Sequence, residues 1–477
     1  MENVLASRYA SQQMVDIWSA ESRIILEREL WVAVLKAQKE LGIEIEDQVI
    51  EDYESVIESV DLNSIRKREK ITRHDVKARL EEFSELAGHQ HAHKGMTSRD
   101  LTENVEQLQI KKSLDLVLDL VVASLSRLGR LAAENSSLML TGRTHNVAAQ
   151  PTTLGKRFAN TAEELINAYH KANFLLVNFP LRGLKGPVGT QQDLLDLFEG
   201  DNEKVSLIEN RVAEILGFDK VLDSVGQVYT RSMDFEVVSA LVHISSAPSN
   251  FSKTVRLMAG NNLVSEGFQQ GQVGSSAMPH KTNTRTSERI NGLSLVLKGY
   301  LSMLGGLVGD QWNEGDVSCS VVRRVALPDS FFAIDGLFQS FLTVLDEFGS
   351  FPAVIEKELL EELPYLSTTR LLVAAVQKGI GRETAHEIIS EHAQKSSISR
   401  REGLEGPSFV ELLDSDDRFP LNEGEMNQLF SQRTVLIGNA SNQVQLVIEK
   451  IADIVTHRPL AASYKPCLLY TSDAADE

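Results

Sequence analysis

The chain lacks several features that would place it in common classes of protein. Two cysteines in 477 residues, Cys319 and Cys467, are too few for a disulfide framework or a cysteine-based zinc site and favour a reducing, cytosolic setting. A net charge of −19 argues against a nucleic-acid binder, because such proteins need basic faces to displace counterions. Residues 1–10 lack the basic-then-apolar order of a signal peptide, so we expect none. The apolar stretch 293–308 is interrupted by Lys298 and is too short to span a membrane, so neither nucleic acid nor a membrane is an expected partner.

Proline is absent from the first 150 residues and first occurs as Pro151. Since proline breaks the hydrogen-bond ladder of a helix, this absence favours helices throughout that part of the chain. Between residues 101 and 128, apolar side chains recur mostly every three or four positions, as on one face of a long helix. The stretches 237–244 and 293–304 keep the same period. Such helices must bury their apolar stripes against one another, so the sequence predicts an all-α fold around a bundle of long helices.

Length and composition predict more than one domain. A chain of 477 residues exceeds the usual size of a single core, and a hydrophobic content of 42% excludes global disorder. We place an N-terminal helical domain at about 1–112, a central long-helix bundle at about 113–364 and a C-terminal helical domain at about 365–460. Residues 461–477 show no period and end in small and acidic residues, which predicts a disordered tail.

The segment 274–283 is the most informative stretch of the chain. It combines two serines, a lysine and an asparagine behind a glycine-rich lead-in. Serine is a weak base in water and acts only where a site stabilises its alkoxide, and Lys281 follows Ser275 closely enough to share a site with it. A glycine–serine loop is more often a flexible linker, but the fixed order of Ser-Ser, Met-Pro, Lys and Asn is far more specific. The segment therefore suits a closing loop that brings a proton acceptor and a carboxylate clamp onto an anionic substrate.

A second candidate region lies near the start of the long helix. Thr97 and Asp100 have the spacing of a capping box, and the free amides of a helix N-terminus can hold a carboxylate. An ordinary helix cap is the simpler interpretation. The histidines within 89–93 favour a solvent-facing or substrate-facing role over a metal site, because no carboxylate or cysteine neighbour completes a ligand set.

Further candidates are a histidine and two arginine-bearing segments. His145 lies just before the helix start that Pro151 marks, where an imidazole that titrates near neutral pH could protonate a leaving nitrogen. A capping or buried structural role is the more common one for a single histidine. The segments 8–9 and 318–324 combine arginine with hydroxyl groups, which suits phosphate because guanidinium makes two-point bonds. Surface ion pairing is the alternative for each of them.

Taken in order, these segments resemble the fumarase/aspartase superfamily of lyases and, within it, the adenylosuccinate lyase family. The loop at 274–283 carries the likeness to the superfamily, and the segments 8–9, 73–75 and 320–324 point to its nucleotide-specific branch. The resemblance runs from Ser7 to about residue 455. Its motifs, in the family's order, are Ser7-Arg8-Tyr9, Thr72-Arg73-His74-Asp75, His93 with Thr97-Ser98-Arg99-Asp100, Gly142-Arg143-Thr144-His145, Ala149-Gln150-Pro151, Lys185-Gly186, Gly226-Gln227, the Ser275 loop, and Ser320 with Arg324.

The resemblance implies a fold, an activity and a set of site residues. It implies an enzyme of purine synthesis, without a metal or other cofactor, that eliminates fumarate from adenylosuccinate and from SAICAR, its imidazole-carboxamide analogue. It implies a cytoplasmic homotetramer whose central helices form one bundle and whose active sites each draw on three subunits. By motif position Ser275 would be the base and His145 the acid. The succinyl carboxylates would contact Lys281, Asn283, Thr97, Ser98 and Thr144, the phosphate would contact Arg8, Tyr9, Ser320 and Arg324, and Arg73, His74, Asp75, His93, Gln227 and Arg289 would line the rest of the nucleotide site.

Two positions depart from the family pattern. Thr284 stands where the loop commonly has proline, and Gly315 stands where an arginine often lies, five residues before the phosphate serine. Because of the second departure, we expect phosphate affinity to depend more on Arg324 and on Lys94 or Arg8.

Two other functions remain open at this point. Another lyase of the superfamily, acting on argininosuccinate, aspartate or a cycloisomerase substrate, is the first, and it would not require a 5′-phosphate on its substrate. A non-catalytic helical scaffold is the second, and the presence of Ser275, Lys281 and His145 argues against it, since a scaffold has no need of them.

Overall fold

The computed structural model describes residues 3–267 and 282–467, and this part of the chain is mostly helical. Ser275 and Lys281, on which the predicted base and carboxylate clamp depend, lie outside the described residues. The described part confirms the all-α class, with two small antiparallel sheets, β1–β2 and β3–β4, beside the helices. In chain order the elements are α1 Val4–Arg8, α2 Gln12–Ile17, α3 Ala20–Glu40, α4 Asp47–Ser55, α5 Leu62–Thr72, α6 Asp75–Ala87, α7 Ser98–Glu134, β1 Met139–Thr144, β2 Val147–Thr153, α8 Leu154–Asn178, α9 Gln192–Leu197, α10 Asn202–Ile215, α11 Ser232–Gly260, β3 Val264–Ser265, α12 Arg285–Gly305, α13 Cys319–Glu347, β4 Gly349–Ser350, α14 Pro352–Leu366, α15 Thr368–Gln377, α16 Arg382–Arg401, α17 Phe409–Asp414, α18 Glu423–Ser431, α19 Arg433–Leu436 and α20 Ala440–His457.

The long helix α7 is the axis of the main core. Asp100 accepts a hydrogen bond from the backbone N–H of Thr97, as the predicted capping box requires. The predicted apolar stripe between 101 and 128 is buried. It packs against α3, α8, α13 and α20, so the period of the sequence correctly located both the helix and its buried face.

Of the remaining bundle helices, α8 and α13 pack against α7, while α11 and α12 pack against each other and against α13, and α11 also against α8. Aromatic rings fill the space between them: Phe158 of α8 lies edge-on to Phe348 with ring centres 5.0 Å apart, and it also contacts Phe251 of α11. Within the described ranges no helix combines the length and the apolar character needed to cross a membrane.

A second apolar core lies in the C-terminal part of the chain. It is built from side chains of α14 to α18, from Leu359 to Phe430, together with Met139. The last helix, α20, packs instead against α7 and α8 of the main core. The three-domain division stays a prediction, but α20 lies with the central bundle rather than with the helices that precede it.

The described part of the predicted tail, 461–467, is attached to the bundle. The carbonyl oxygen of Tyr464 accepts a hydrogen bond from Arg127 at 2.7 Å, and its hydroxyl accepts one from Gln339 at 2.9 Å. Residues 461–463 form a 3₁₀ turn. The start of this segment therefore makes defined contacts with the bundle, and the disorder of the tail as a whole stays a prediction.

We expect Gly155→Ala to destabilise the protein, because the start of α8 lies too close to the end of α7 to leave room for a side chain at residue 155. A Cβ at Gly155 would lie 2.5 Å from the carbonyl oxygen of Ala132 and 2.7 Å from the backbone nitrogen of Ser136. Backbone atoms cannot swing aside, so the helices must separate, and we expect a loss of about 2 kcal/mol in the free energy of unfolding. Urea denaturation measures it. Gly406→Ala is the control, since no heavy atom lies within 4 Å of its Cβ; similar values for both variants would contradict this account.

Candidate active site

Several predicted substrate-binding residues meet at the amino-terminal end of α7. The Ser98 hydroxyl lies 3.4 Å from Nε2 of His74, which begins the neighbouring helix α6. On the other side, the Arg99 guanidinium donates to the hydroxyl of Ser320 at 3.5 Å. Ser320 is the second residue of α13, whose start lies beside that of α7. Three segments that are far apart in sequence therefore share one surface, within reach of a single small molecule.

A buried ion pair fixes this end of α7. Oδ1 of Asp100 accepts hydrogen bonds from Nη1 of Arg182 at 2.6 Å and from the backbone nitrogens of 185–186 at 2.9 and 3.0 Å. Its other oxygen, Oδ2, accepts from the backbone nitrogen of Thr97 at 2.8 Å. Arg182 in turn donates to the carbonyl oxygen of Gly226 at 3.0 Å. One carboxylate and one guanidinium, both with fully buried side chains, thus hold together three of the motif segments.

His93 lies in the loop before α7 with a positive φ of 74°. Its Nδ1 accepts a hydrogen bond from the indole nitrogen of Trp31 at 3.0 Å, so the neutral ring carries its proton on Nε2. Burial lowers the pKa of His93, although the nearby carboxylate of Asp100 opposes that effect. A neutral imidazole can donate a hydrogen bond from its Nε2–H, but it does not provide a positive charge.

Gln227 follows the Gly226 carbonyl that Arg182 binds, so the same buried pair positions it. Its side chain packs directly over Gly315: a Cβ at that glycine would lie 2.6 Å from the Cβ of Gln227 and 2.7 Å from its Oε1. The space that a side chain at 315 would need is therefore already occupied by Gln227.

His145 lies on a β-hairpin, which the sequence pattern did not predict. Strands β1 and β2 pair antiparallel, and His145 and Asn146 form the turn between them with φ values of 52° and 61°. Positive φ at both central residues is typical of the tight turns that join twisted strands. The hairpin packs against α14, and Arg143 pairs with Glu358 at 2.8 Å. His145 is exposed at the tip, beside a cavity of about 390 Å³ that Asn146 helps to line.

Tyr9 and Arg289 form another part of the predicted site. Tyr9 ends α1, and the guanidinium carbon of Arg289 lies 5.9 Å from the centre of its ring. Helix α13 passes directly under this tyrosine, because a Cβ at Gly336 would lie 2.7 Å from the Cβ of Tyr9. Burial raises the pKa of Asp335 to about 6, and its carboxylate accepts from the hydroxyl of Ser11 at 3.1 Å. These contacts fix the N-terminal segment to the bundle.

The structure thus distributes the predicted residues over several places. Ser98 contacts His74 directly, and Arg99 links the same end of α7 to Ser320. Asp100 binds Thr97, and its partner Arg182 binds the carbonyl oxygen just before Gln227. His93 is held by its hydrogen bond from Trp31. Exposed Arg324 lies one turn after Ser320, and Asp75 pairs with Arg79 at 3.1 Å at the start of α6. The sequence pattern did not single out Arg182, and its only signal is that it and Lys185 are charged residues in an otherwise apolar, glycine-bearing stretch, 179–186. The remaining predicted residues lie at Arg8 beside Tyr9, Arg73 at the end of α5, Thr144 at the end of β1 and Asn283 just before α12.

Comparison with known proteins gives the class first. Residues 7–299 match the family model described as Lyase, so the chain belongs to that family and is a lyase enzyme. Two solved structures share the fold: 3-carboxy-cis,cis-muconate lactonizing enzyme from Pseudomonas putida (TM-score 0.80, 17% identity, 95% of this chain and 100% of that one) and fumarate lyase from Mesorhizobium sp. BNC1 (TM-score 0.78, 19% identity, 93% and 98%).

The narrower assignment follows from closer relatives. Residues 364–447 match the model described as Adenylosuccinate lyase C-terminus. The adenylosuccinate lyase of Schistosoma mansoni is 32% identical over 99% of this chain and 98% of its own length. That of Saccharomyces cerevisiae is 33% identical over 94% and 93%, and that of Pyrococcus horikoshii is 29% identical over 94% and 97%. Within the lyases, the chain belongs to the adenylosuccinate lyase family.

We expect Asp100→Asn to lower stability strongly, because it leaves the buried guanidinium of Arg182 without its counter-ion. Breaking a buried pair by removing one charge costs about 3 kcal/mol or more, which urea denaturation would show. Glu134→Gln is the matched control: it makes the same chemical change on the same helix, but in a half-exposed pair with Arg130, where the expected loss is under about 1 kcal/mol. Equal losses in the two variants would show that the Asp100 pair does not hold the site together.

Proposed function

We propose that this enzyme eliminates fumarate from adenylosuccinate, giving AMP, and from SAICAR, giving AICAR. The observation that carries the proposal is the meeting of His74, Ser98 and Ser320, with an arginine between the two serines, at one end of the bundle. Hydroxyls and a guanidinium around a shared surface suit a ligand that carries both carboxylate and phosphate groups. The names of the similar proteins support the same substrate class.

The substrate contacts follow from motif position and from this geometry. Thr97 and Ser98 lie at the start of α7, where free helix amides favour an anion, and hold a succinyl carboxylate. Lys281, Asn283 and Thr144 complete that end. Arg8, Tyr9, Ser320 and Arg324 hold the phosphate, and the residues around the rest of the nucleotide are Arg73, His74, Asp75, His93, Gln227 and Arg289.

The chemical problem is to remove a proton from the carbon next to a carboxylate. Ser275 takes that proton, and the negative charge spreads onto the carboxylate to give a dianionic intermediate. The electron pair then forms the double bond of fumarate as the carbon–nitrogen bond breaks, and His145 supplies a proton to the leaving nitrogen. Preorganised donors such as Lys281, Asn283 and the α7 N-terminus stabilise the intermediate. This route needs no redox step and no electron sink beyond the carboxylate itself.

The surface of the bundle supports a homotetramer in which neighbouring subunits complete each site. Large apolar side chains are exposed along α12 and α13, including Leu295 at 70% and Val321 at 71% exposure, and Trp312 between them is 73% exposed. A row of this kind marks a surface that another protein covers. We propose that copies of the same bundle cover it, and that the His145 hairpin of one subunit completes the site at the α7 end of another. A cytoplasmic location fits the purine pathway.

An absorbance assay with adenylosuccinate tests the proposal directly. We expect the wild type to convert it, and to fail with the same compound lacking its 5′-phosphate, because the phosphate contacts would be left empty. Ser275→Ala and His145→Gln should each lose at least about 1000-fold in turnover while still binding AMP. His386→Gln, at an exposed histidine of α16, is the control and should keep full activity. Near-normal turnover in either site variant would remove that residue from its role.

Mixing the two inactive variants tests whether sites are shared between subunits. If Ser275 and His145 of one site come from different subunits, exchanged Ser275→Ala and His145→Gln tetramers contain some sites with both residues intact. We therefore expect part of the wild-type turnover to return after subunit exchange, measured by the same assay. Each variant taken alone through the exchange is the control. No recovery, once exchange has been verified by mass, would show that each subunit builds its own site.

A further inference from the structure

Arg99 lies inside the candidate site but has no role in the elimination as described above. It is the second residue of α7, directly after Ser98. Its guanidinium makes two contacts in the described structure, to the Ser320 hydroxyl at 3.5 Å and to Oε1 of Glu103 at 3.1 Å. The first of these is long, so a ligand could replace it at little cost. Its side chain is 19% exposed, so one edge of the group faces solvent.

The charge of Arg99 is only partly compensated by Glu103. That carboxylate is fully buried and also binds Arg231 at 3.0 Å through a two-point contact. Arg323 approaches it at 3.6 Å as a third guanidinium. Arg323 is neutralised mainly by Glu106 and Asp234, whereas Arg99 makes a single hydrogen bond to the shared Glu103 and is the most exposed of the three guanidinium groups, so its outward edge can still donate to an anion.

The segment just before α13, which carries Gly315, has no cation at that position to contact the Ser320 hydroxyl. Gly315, five residues before Ser320, has no side chain, and Gln227 occupies the space next to it. Arg324 lies one turn further along α13 on the same side as Ser320. On the side away from Arg324, Arg99 is the guanidinium that contacts the Ser320 hydroxyl in the described structure.

We infer that Arg99 binds the 5′-phosphate of the nucleotide together with Ser320, a proposal that depends on the function proposed above. Guanidinium offers two parallel N–H donors to a phosphate, and the hydroxyl of Ser320 contributes a third to the same group. Arg99 is a phosphate-binding residue of this chain, and its position on α7 places it between the phosphate and the carboxylate held at Ser98.

Calorimetry on the full-length enzyme with two probes separates phosphate binding from other roles. AMP carries the phosphate without the dicarboxylate, and fumarate carries the dicarboxylate without the phosphate. For Arg99→Gln we expect the Kd of AMP to rise about tenfold or more, as for a lost charge-assisted hydrogen bond, and the Kd of fumarate to change by less than about twofold. Arg99→Lys keeps the charge but not the two-point geometry, so its AMP affinity should lie between those of the wild type and Arg99→Gln.

Arg130→Gln is the matched control. Arg130 forms the same kind of ion pair with the glutamate four residues after it, Glu134, but it lies at the other end of α7. It should leave both affinities unchanged. Three outcomes overturn the inference: AMP binding of Arg99→Gln within about twofold of wild type, an equal loss for both probes, or a loss confined to fumarate. If Arg99→Gln does not fold, Arg99→Lys carries the same comparison. Failure of the wild type to convert adenylosuccinate would instead count against the proposed function.

Discussion

The pair of Asp100 and Arg182 is the interaction on which the order of the candidate site depends. Both side chains are fully buried, and neither can be left alone without a cost of several kcal/mol. Because the same carboxylate also binds the backbone of Thr97 and of residues 185–186, and the same guanidinium binds that of Gly226, these segments cannot shift independently. The start of α7, where we propose that a substrate carboxylate binds, is therefore held at a fixed position relative to Gln227.

A second set of buried charges extends this constraint into α13. Arg323 binds Asp234 of α11 at 2.7 Å and Glu106 of α7 at 2.5 Å, and burial raises the pKa of Tyr229 beside them. Ion pairs of this kind add little net stability compared with apolar packing, but they accept only one arrangement of the helices. With Arg323 locked inward, the rotation of α13 is fixed, and the face that carries Ser320 and Arg324 is turned outward.

The parts of the fold that could be predicted from the sequence are those set by local patterns. The stripe of α7 and the cap at Thr97 follow from helical spacing alone. The hairpin around His145 could not be predicted, because its strands lie between two long helices and Pro151 reads as a helix start. The contact of Asp100 with Arg182 spans 82 residues, and no spacing rule connects them. The sequence thus predicts the candidate site as a set of segments, while the bonds that hold these segments together can be identified only from the fold.

A sequence motif identifies residues by their position in the chain. A phosphate group, in contrast, binds wherever positive charge and hydrogen-bond donors lie close enough to it in space. Gly315 has no charged side chain, and Gln227 fills the space beside it. The guanidinium of Arg99, on α7, nevertheless contacts the hydroxyl of Ser320. The direction of Arg99 follows from its neighbour: successive helix residues are rotated by about 100°, so an Asp100 anchored in the core turns Arg99 towards the site. The buried pair therefore fixes the start of α7, where we propose that the dicarboxylate binds, and also decides that Arg99 is presented to the proposed phosphate end of the site.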